Sequence, residues 1–295
     1  MGEGAARETG TRKYTVAMIL SSGLPATLTT PAGLALVVPS AIALLAYGTA
    51  MARHAAEGDG ARRALLVGWL AHAVAIVVDM AGIGTGIPGA RFGFAPALSA
   101  TLWLVLAVYV IESRWVPLPG VRRTLALLGV FAVALAALFP GEFRPQIDSP
   151  WAPVHWALGI ASYGLFGAAV LHGAMLDAAE RRLRGKLQPP GATPMGMPLL
   201  RLERLTFQFV GAGFALLSAT LLLGWWFADP WRWDHKAVLS VLGWLVFAGL
   251  LVGRQRLGWR GRPALRGLYA GAALLLLAYV GSRFMLEVVF QRAPY

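Results

Sequence analysis

A chain of 295 residues in which 57% are hydrophobic and 14% charged, with a mean hydropathy of +0.62, departs from a water-soluble domain, where about a quarter of residues are charged. A net charge of +12 carried largely by short connections between apolar runs is the signature of a membrane protein meeting anionic headgroups, and it argues against nucleic acid as a partner. The absence of cysteine excludes disulfides, thiolate metal sites, iron–sulfur clusters and covalent haem attachment through Cys-x-x-Cys-His, and no G-x-S-x-G, Walker A or His-Glu-x-x-His motif offers hydrolase or nucleotide chemistry.

Residues 1–30 do not read as a signal peptide, because Pro25 and Pro31 interrupt a weak apolar stretch and acidic residues mix with basic ones. They are expected to form a flexible tail ahead of one membrane domain over 31–292. Apolar runs long enough to cross about 30 Å of hydrocarbon follow at 32–53, 63–82, 96–112, 121–139, 152–176, 205–227, 236–253 and 264–286. The runs are continuous, without the alternation of barrel strands, and each span must satisfy its own backbone hydrogen bonds in lipid. The predicted fold class is therefore an all-α polytopic membrane protein of about eight transmembrane helices.

Lys and Arg orient it. Counted with the first and last turns of the flanking runs, the connections after spans 1, 3, 5 and 7 hold 3, 3, 6 and 5 of them, whereas those after spans 2, 4 and 6 hold 1, 1 and 2. Positive residues collect in short cytoplasmic loops, so both termini are expected outside, with Arg7, Arg12 and Lys13 of the tail counting mildly against. The longest basic piece, "ERRLRGKLQPPGATPMGMPLLRLER" at 180–204, reads as a charged cytoplasmic surface loop with an amphipathic re-entry.

The five histidines separate by depth. His54 falls in a charged loop. His72 lies near the middle of span 2 with Asp79 seven residues on, nearly on the same helix face, and buried ionisable groups in a membrane mark a cavity or path by default. His72 is a candidate metal ligand or transport residue on that ground, against the plainer reading of a hydrogen-bonded packing histidine. His172 is 17 residues past His155, about 25 Å along a helix, which makes it an interfacial or packing residue near the cytoplasmic face. His155 opens span 5 and His235 opens span 7, so both stand at the outer rim, where two imidazoles at equal depth can share one metal.

Six of the eleven tryptophans, Trp151, Trp156, Trp225, Trp226, Trp231 and Trp233, flank these two histidines. An aromatic belt accounts for most of them. It accounts less well for the run Trp231, Arg232, Trp233, Asp234, His235, Lys236. That set also suits a flat apolar macrocycle whose iron takes imidazoles and whose carboxylates take cations. From spacing alone both readings stand.

The stretches "WAPVHWALGIASYGLFGAAVL", "GWWFADPWRWDHKAVLSVLGWLVFAGLL", "GWRGR" and "LAYVGSRF" resemble the cytochrome c assembly family, in its CcsA/HemX-like branch of eight-span bacterial inner-membrane proteins, over roughly residues 35–290. The resemblance implies a haem-binding protein of the inner membrane, multi-pass, that acts in cytochrome c biogenesis or haem handling at the outer face, as a chaperone or assembly factor and not as an enzyme. It implies haem b as cofactor, with another membrane assembly factor or an apocytochrome as partner besides the bilayer. By position His155 matches the family's histidine before its Trp-rich loop, Trp231, Trp233, Asp234 and Lys236 match the W-x-W-D-x-K core of that loop, and His235 resembles a histidine of this branch. On that footing we expect His155 and His235 to be the iron ligands, Trp231, Trp233 and Asp234 to shape the pocket, and Arg232, Lys236 or Arg283 to meet the propionates. Ala237 stands where the family motif is acidic, and Val252 where CcsA-like synthases carry a histidine, which points away from a haem-delivering synthase. Two other classes stay open: a transporter or ion-permease accessory using His72 and Asp79, and a quinone-linked membrane redox enzyme.

Overall fold

The computed structural model describes residues 31–52, 59–83, 90–114, 121–144, 151–184, 198–227 and 233–290. Among these residues eight long helices follow one another: α1 (Pro31–Ala52), α2 (Asp59–Met80), α3 (Phe94–Glu112), α4 (Val121–Leu138), α5 (Ala152–Arg184), α6 (Leu199–Phe227), α7 (His235–Leu257) and α8 (Arg262–Val289). Seven of them are long and apolar enough to cross a membrane, and α1 carries the apolar stretch Val37–Ala52. Leucines and valines such as Leu45, Val77, Leu222 and Leu245 remain exposed around the bundle, as they do when the surroundings are hydrocarbon. The protein is an all-α polytopic membrane protein, and each expected apolar run lies within or nearly within one helix. The tail over 1–30 and His54 lie outside the described residues.

Without a hydrophobic force between helices in lipid, close packing of small residues must hold them together. Tyr47 of α1 shows how. Its ring lies between Gly68 of α2 and Gly129 of α4, and a Cβ at either glycine would approach that ring to 2.7 Å. Trp69 of α2 and Trp103 of α3 stack in parallel with centroids 5.2 Å apart, and each indole N–H donates to the other's backbone carbonyl, at 3.3 and 3.0 Å. In the second half α5 packs along α6 and α7 along α8, with Phe166 stacked on Phe247 at 3.9 Å. Helix α3 packs on both α4 and α5 and so joins the halves.

Two features were not legible in the sequence. The connections before α3 and after α4 form an antiparallel ribbon, β1 (Ala90–Phe92) with β2 (Glu142–Arg144), Arg91 opposite Phe143. Three-residue strands leave no periodicity to read. Helix α8 changes to π geometry at Leu277–Gly281 and again at Met285–Val289. The ribbon marks one end of the bundle, the ribbon face. The opposite end, the basic face, carries the arginines at the end of α3 and the start of α4, and those between α7 and α8. There His172 bonds Glu112 at 2.9 Å, and Arg254 bonds Glu203 at 3.0 Å and lies 3.8 Å over the Phe207 ring. His172 is thus a packing histidine at the end of the bundle opposite His155.

Candidate functional site

At the ribbon face α5, α6, α7 and α8 diverge around a cavity of about 460 Å³. Each helix turns one regular face to it. His155, Gly159 and Tyr163 recur every fourth residue of α5, and Leu217, Thr220, Leu221 and Gly224 lie at the matching spacing on α6. Lys236, Ala237 and Ser240 come from the first turns of α7, and Ala278, Tyr279 and Val280 from the π turn of α8. Extra backbone in a π turn widens a helix locally, which is why such turns accompany sites. Phe92 of the ribbon closes one edge, its ring 4.3 Å from that of Trp156.

His155 is the imidazole that lines this cavity. Its Nδ1–H donates to the Thr220 carbonyl at 3.1 Å, which places the lone pair of the neutral ring on Nε2. A backbone carbonyl holding one imidazole nitrogen is the usual second-sphere device for orienting the other toward a metal. Gly224 makes the room: a Cβ there would stand 2.9 Å from His155 Cε1. Tyr163 fixes the floor by donating its hydroxyl to the Leu275 carbonyl at 2.6 Å, just before the π turn. Asp234 lines the cavity and also caps α7, accepting from the Ala237 N–H at 2.8 Å.

The other expected site residues fall in different places. Lys236 lines the cavity with His155 and Asp234. His235, the first residue of α7, is exposed and does not line it, and Trp233 is exposed at 67%. Trp231 and Arg232 lie outside the described residues. Arg283 is buried on α8 at 4% exposure, one turn beyond the lining residue Tyr279. Its Nη1 is 3.8 Å from Glu287, whose other oxygen accepts from the Phe94 N–H at the start of α3 at 3.4 Å. The Arg283 Nε and Nη1 have no hydrogen-bond partner among the described residues. His72 lies in a separate cavity, among α1 to α4, together with Asp79, which pairs with Arg91 at 3.1 Å. Sequence reasoning missed Phe92, Tyr163, Thr220, Ser240 and Tyr279. The every-fourth-residue pattern from His155 pointed to Tyr163; nothing local pointed to Phe92.

Among the described residues no group of three or more His, Asp or Glu is arranged to hold a bare metal ion. A single oriented imidazole can complete the coordination only of a metal that brings most of its ligands with it. Residues 89–290 match the family model described as cytochrome C assembly protein. The chain belongs to the cytochrome c assembly protein family. The matched region contains the ribbon and all the lining residues of the ribbon-face cavity. Among relatives in this family, the inner membrane protein YpjD of Escherichia coli K12 is 31% identical over 197 residues, covering 64% of this chain and 72% of that protein. An uncharacterized 28.8 kDa protein of Azospirillum brasilense is 30% identical, covering 65% and 76%. The cytochrome c biogenesis protein CcsA of a Synechococcus strain is 28% identical, covering 65% and 72%. No solved structure matches the chain.

Proposed function

We propose that this protein binds haem, of the b type, in the ribbon-face cavity and serves cytochrome c biogenesis as a haem-handling factor of the inner membrane. The observation that carries the reading is His155: an imidazole with one nitrogen tied to a backbone carbonyl, in space that Gly224 leaves clear, beside aromatic walls. The names of the relatives, an inner membrane protein and cytochrome c biogenesis proteins, support the location and the process.

The donor set fits the group. Bound haem would supply an iron that takes imidazole ligands and two carboxylates that need cations. His155 offers Nε2 from within the cavity. Lys236 of the lining offers an ammonium to a carboxylate, and the further cations proposed are Arg283, one turn beyond Tyr279, and Arg232, which lies outside the described residues. Exposed Trp233 is proposed to extend the apolar wall outward, and Trp231, outside the described residues, is proposed to join it. His235 stands between the lining residues Asp234 and Lys236 and is proposed as the second ligand, a role that requires the first turn of α7 to bring its exposed ring inward. No group positioned for bond-making chemistry is proposed. The protein holds haem for a membrane assembly factor or an apocytochrome.

Purification in mild detergent followed by an absorption spectrum tests this reading. A Soret band that His155→Ala removes or shifts is the expected result. A haem-free protein that takes up no added haemin would end it.

A further inference from the structure

The second cavity, of about 420 Å³, shares no lining residue with the first, and besides Ser40 of α1 its polar side chains stand in two groups, one with His72 and one with Asp79. At one end His72 Nε2 lies 2.8 Å from Ser99 Oγ, and His72 Nδ1 lies 3.2 Å from the Tyr47 hydroxyl. At the other Arg91 pairs with Asp79. His72 and Asp79 are seven residues apart on α2, about 10 Å at 1.5 Å per residue, and the apolar Ala75 and Ile76 line the wall between them.

Proton accounting gives the His72 end a direction. Tyr47 is fully buried, and His72 is its hydroxyl's sole hydrogen-bond partner among the described residues. The phenol therefore donates to Nδ1, since the reverse would leave its proton without an acceptor in the interior. With Nδ1 accepting, the proton of the neutral ring sits on Nε2 and is donated to Ser99 Oγ. Ser99 is 2% exposed, lines the cavity, and bonds no other group among the described residues. Its own proton is left to point at whatever fills the cavity. The chain Tyr47 to His72 to Ser99 thus ends in one hydrogen-bond donor, and it leaves His72 no lone pair for a metal.

The occupant must be flat or slender, apolar along its middle, uncharged where it meets Ser99, and an acceptor at both ends, toward the Ser99 hydroxyl and toward the Arg91 guanidinium. We infer that this cavity binds a membrane-soluble quinone. A six-membered para-dione with a hydrogen bond at each carbonyl spans a length comparable to the separation of the two polar ends. A fatty acid fits less well, because its carboxylate would compete with Asp79 for Arg91 and its chain would leave Ser99 without an acceptor. The inference concerns binding and is independent of haem in the ribbon-face cavity.

The test is calorimetric titration of the full chain in detergent with a decyl-tailed 1,4-benzoquinone. The comparators are the dimethyl ether of its hydroquinone, which keeps the size and loses the carbonyls, and decanoate. Wild-type protein is expected to bind the quinone saturably and at least tenfold more tightly than either comparator. Ser99→Ala is expected to weaken it about fivefold to tenfold, the loss of one hydrogen bond. Ala75→Phe, which fills the wall and keeps every polar group, is expected to abolish binding, with thermal unfolding as the check that both variants fold. Absence of saturable binding to wild type, equal affinity for quinone and either comparator, or unchanged affinity in both folded variants would overturn the inference. The wild-type comparison decides the matter even where a variant does not fold.

Discussion

At the residue scale the ribbon-face cavity depends on His155 and the two residues of α6 that serve it, Thr220 holding its Nδ1–H and Gly224 leaving space for its ring. Gly224→Ala puts a methyl group 2.9 Å from Cε1, so the imidazole must turn away from its present direction. We predict that Gly224→Ala lowers haem content several-fold although every candidate ligand is retained. His155→Ala is predicted to lower it further or to change the ligation class. Exogenous imidazole separates the two variants in the absorption spectrum: it fits the vacated space in His155→Ala and restores the band, and it does not restore Gly224→Ala. His235→Ala is predicted to have the smaller effect. At about 100° per residue the first turn of α7 directs Lys236, Ala237 and Ser240 to the cavity and leaves His235 on the other side.

Among the elements, the interface of α1, α2 and α4 closes on the Tyr47 ring with almost no clearance. Gly129→Ala is predicted to destabilise the bundle by about 1–3 kcal/mol through overpacking, read as a lowered unfolding midpoint in detergent. At the start of α7, Asp234→Ala is predicted to cost about 1 kcal/mol through loss of the helix cap, and Asp234→Asn to keep most of it. If both variants lose haem equally while only one loses stability, Asp234 acts in the cavity by its charge as well as in the cap. The helices themselves were legible because the bilayer fixes the length of an apolar run. Their ends were not, since hydropathy records only the part in hydrocarbon: α5 continues past 176 to Arg184 and α6 begins at Leu199, ahead of 205. The π turn LAYVG of α8 reads as an ordinary stretch of membrane helix, so Tyr279 gave no sign that it faces a cavity. His155 was legible by its place in the first turn of a span beside tryptophans. Its partner Thr220 was not, because a backbone carbonyl 65 residues away leaves no mark on composition.

Across the whole molecule the two cavities and the two faces make one prediction about the membrane. Among the described residues the arginines concentrate at the end opposite the ribbon, so we propose that the basic face is cytoplasmic and the ribbon-face cavity opens outside. A periplasmic reporter fused after residue 290 is predicted to be active and one inserted within 185–200 inactive. The reverse result in both would put the cavity with His155 in the cytoplasm.

We propose that the oriented imidazole of His155 makes the ribbon-face cavity a haem site, and the absorption spectrum of protein purified in mild detergent, before and after dithionite, for wild type and His155→Ala side by side, tests it. A Soret band with dithionite-sharpened visible bands in wild type, lost or converted to a different ligation class in a folded His155→Ala protein, is the predicted result. The same band at the same strength in both proteins would show that His155 does not hold the haem.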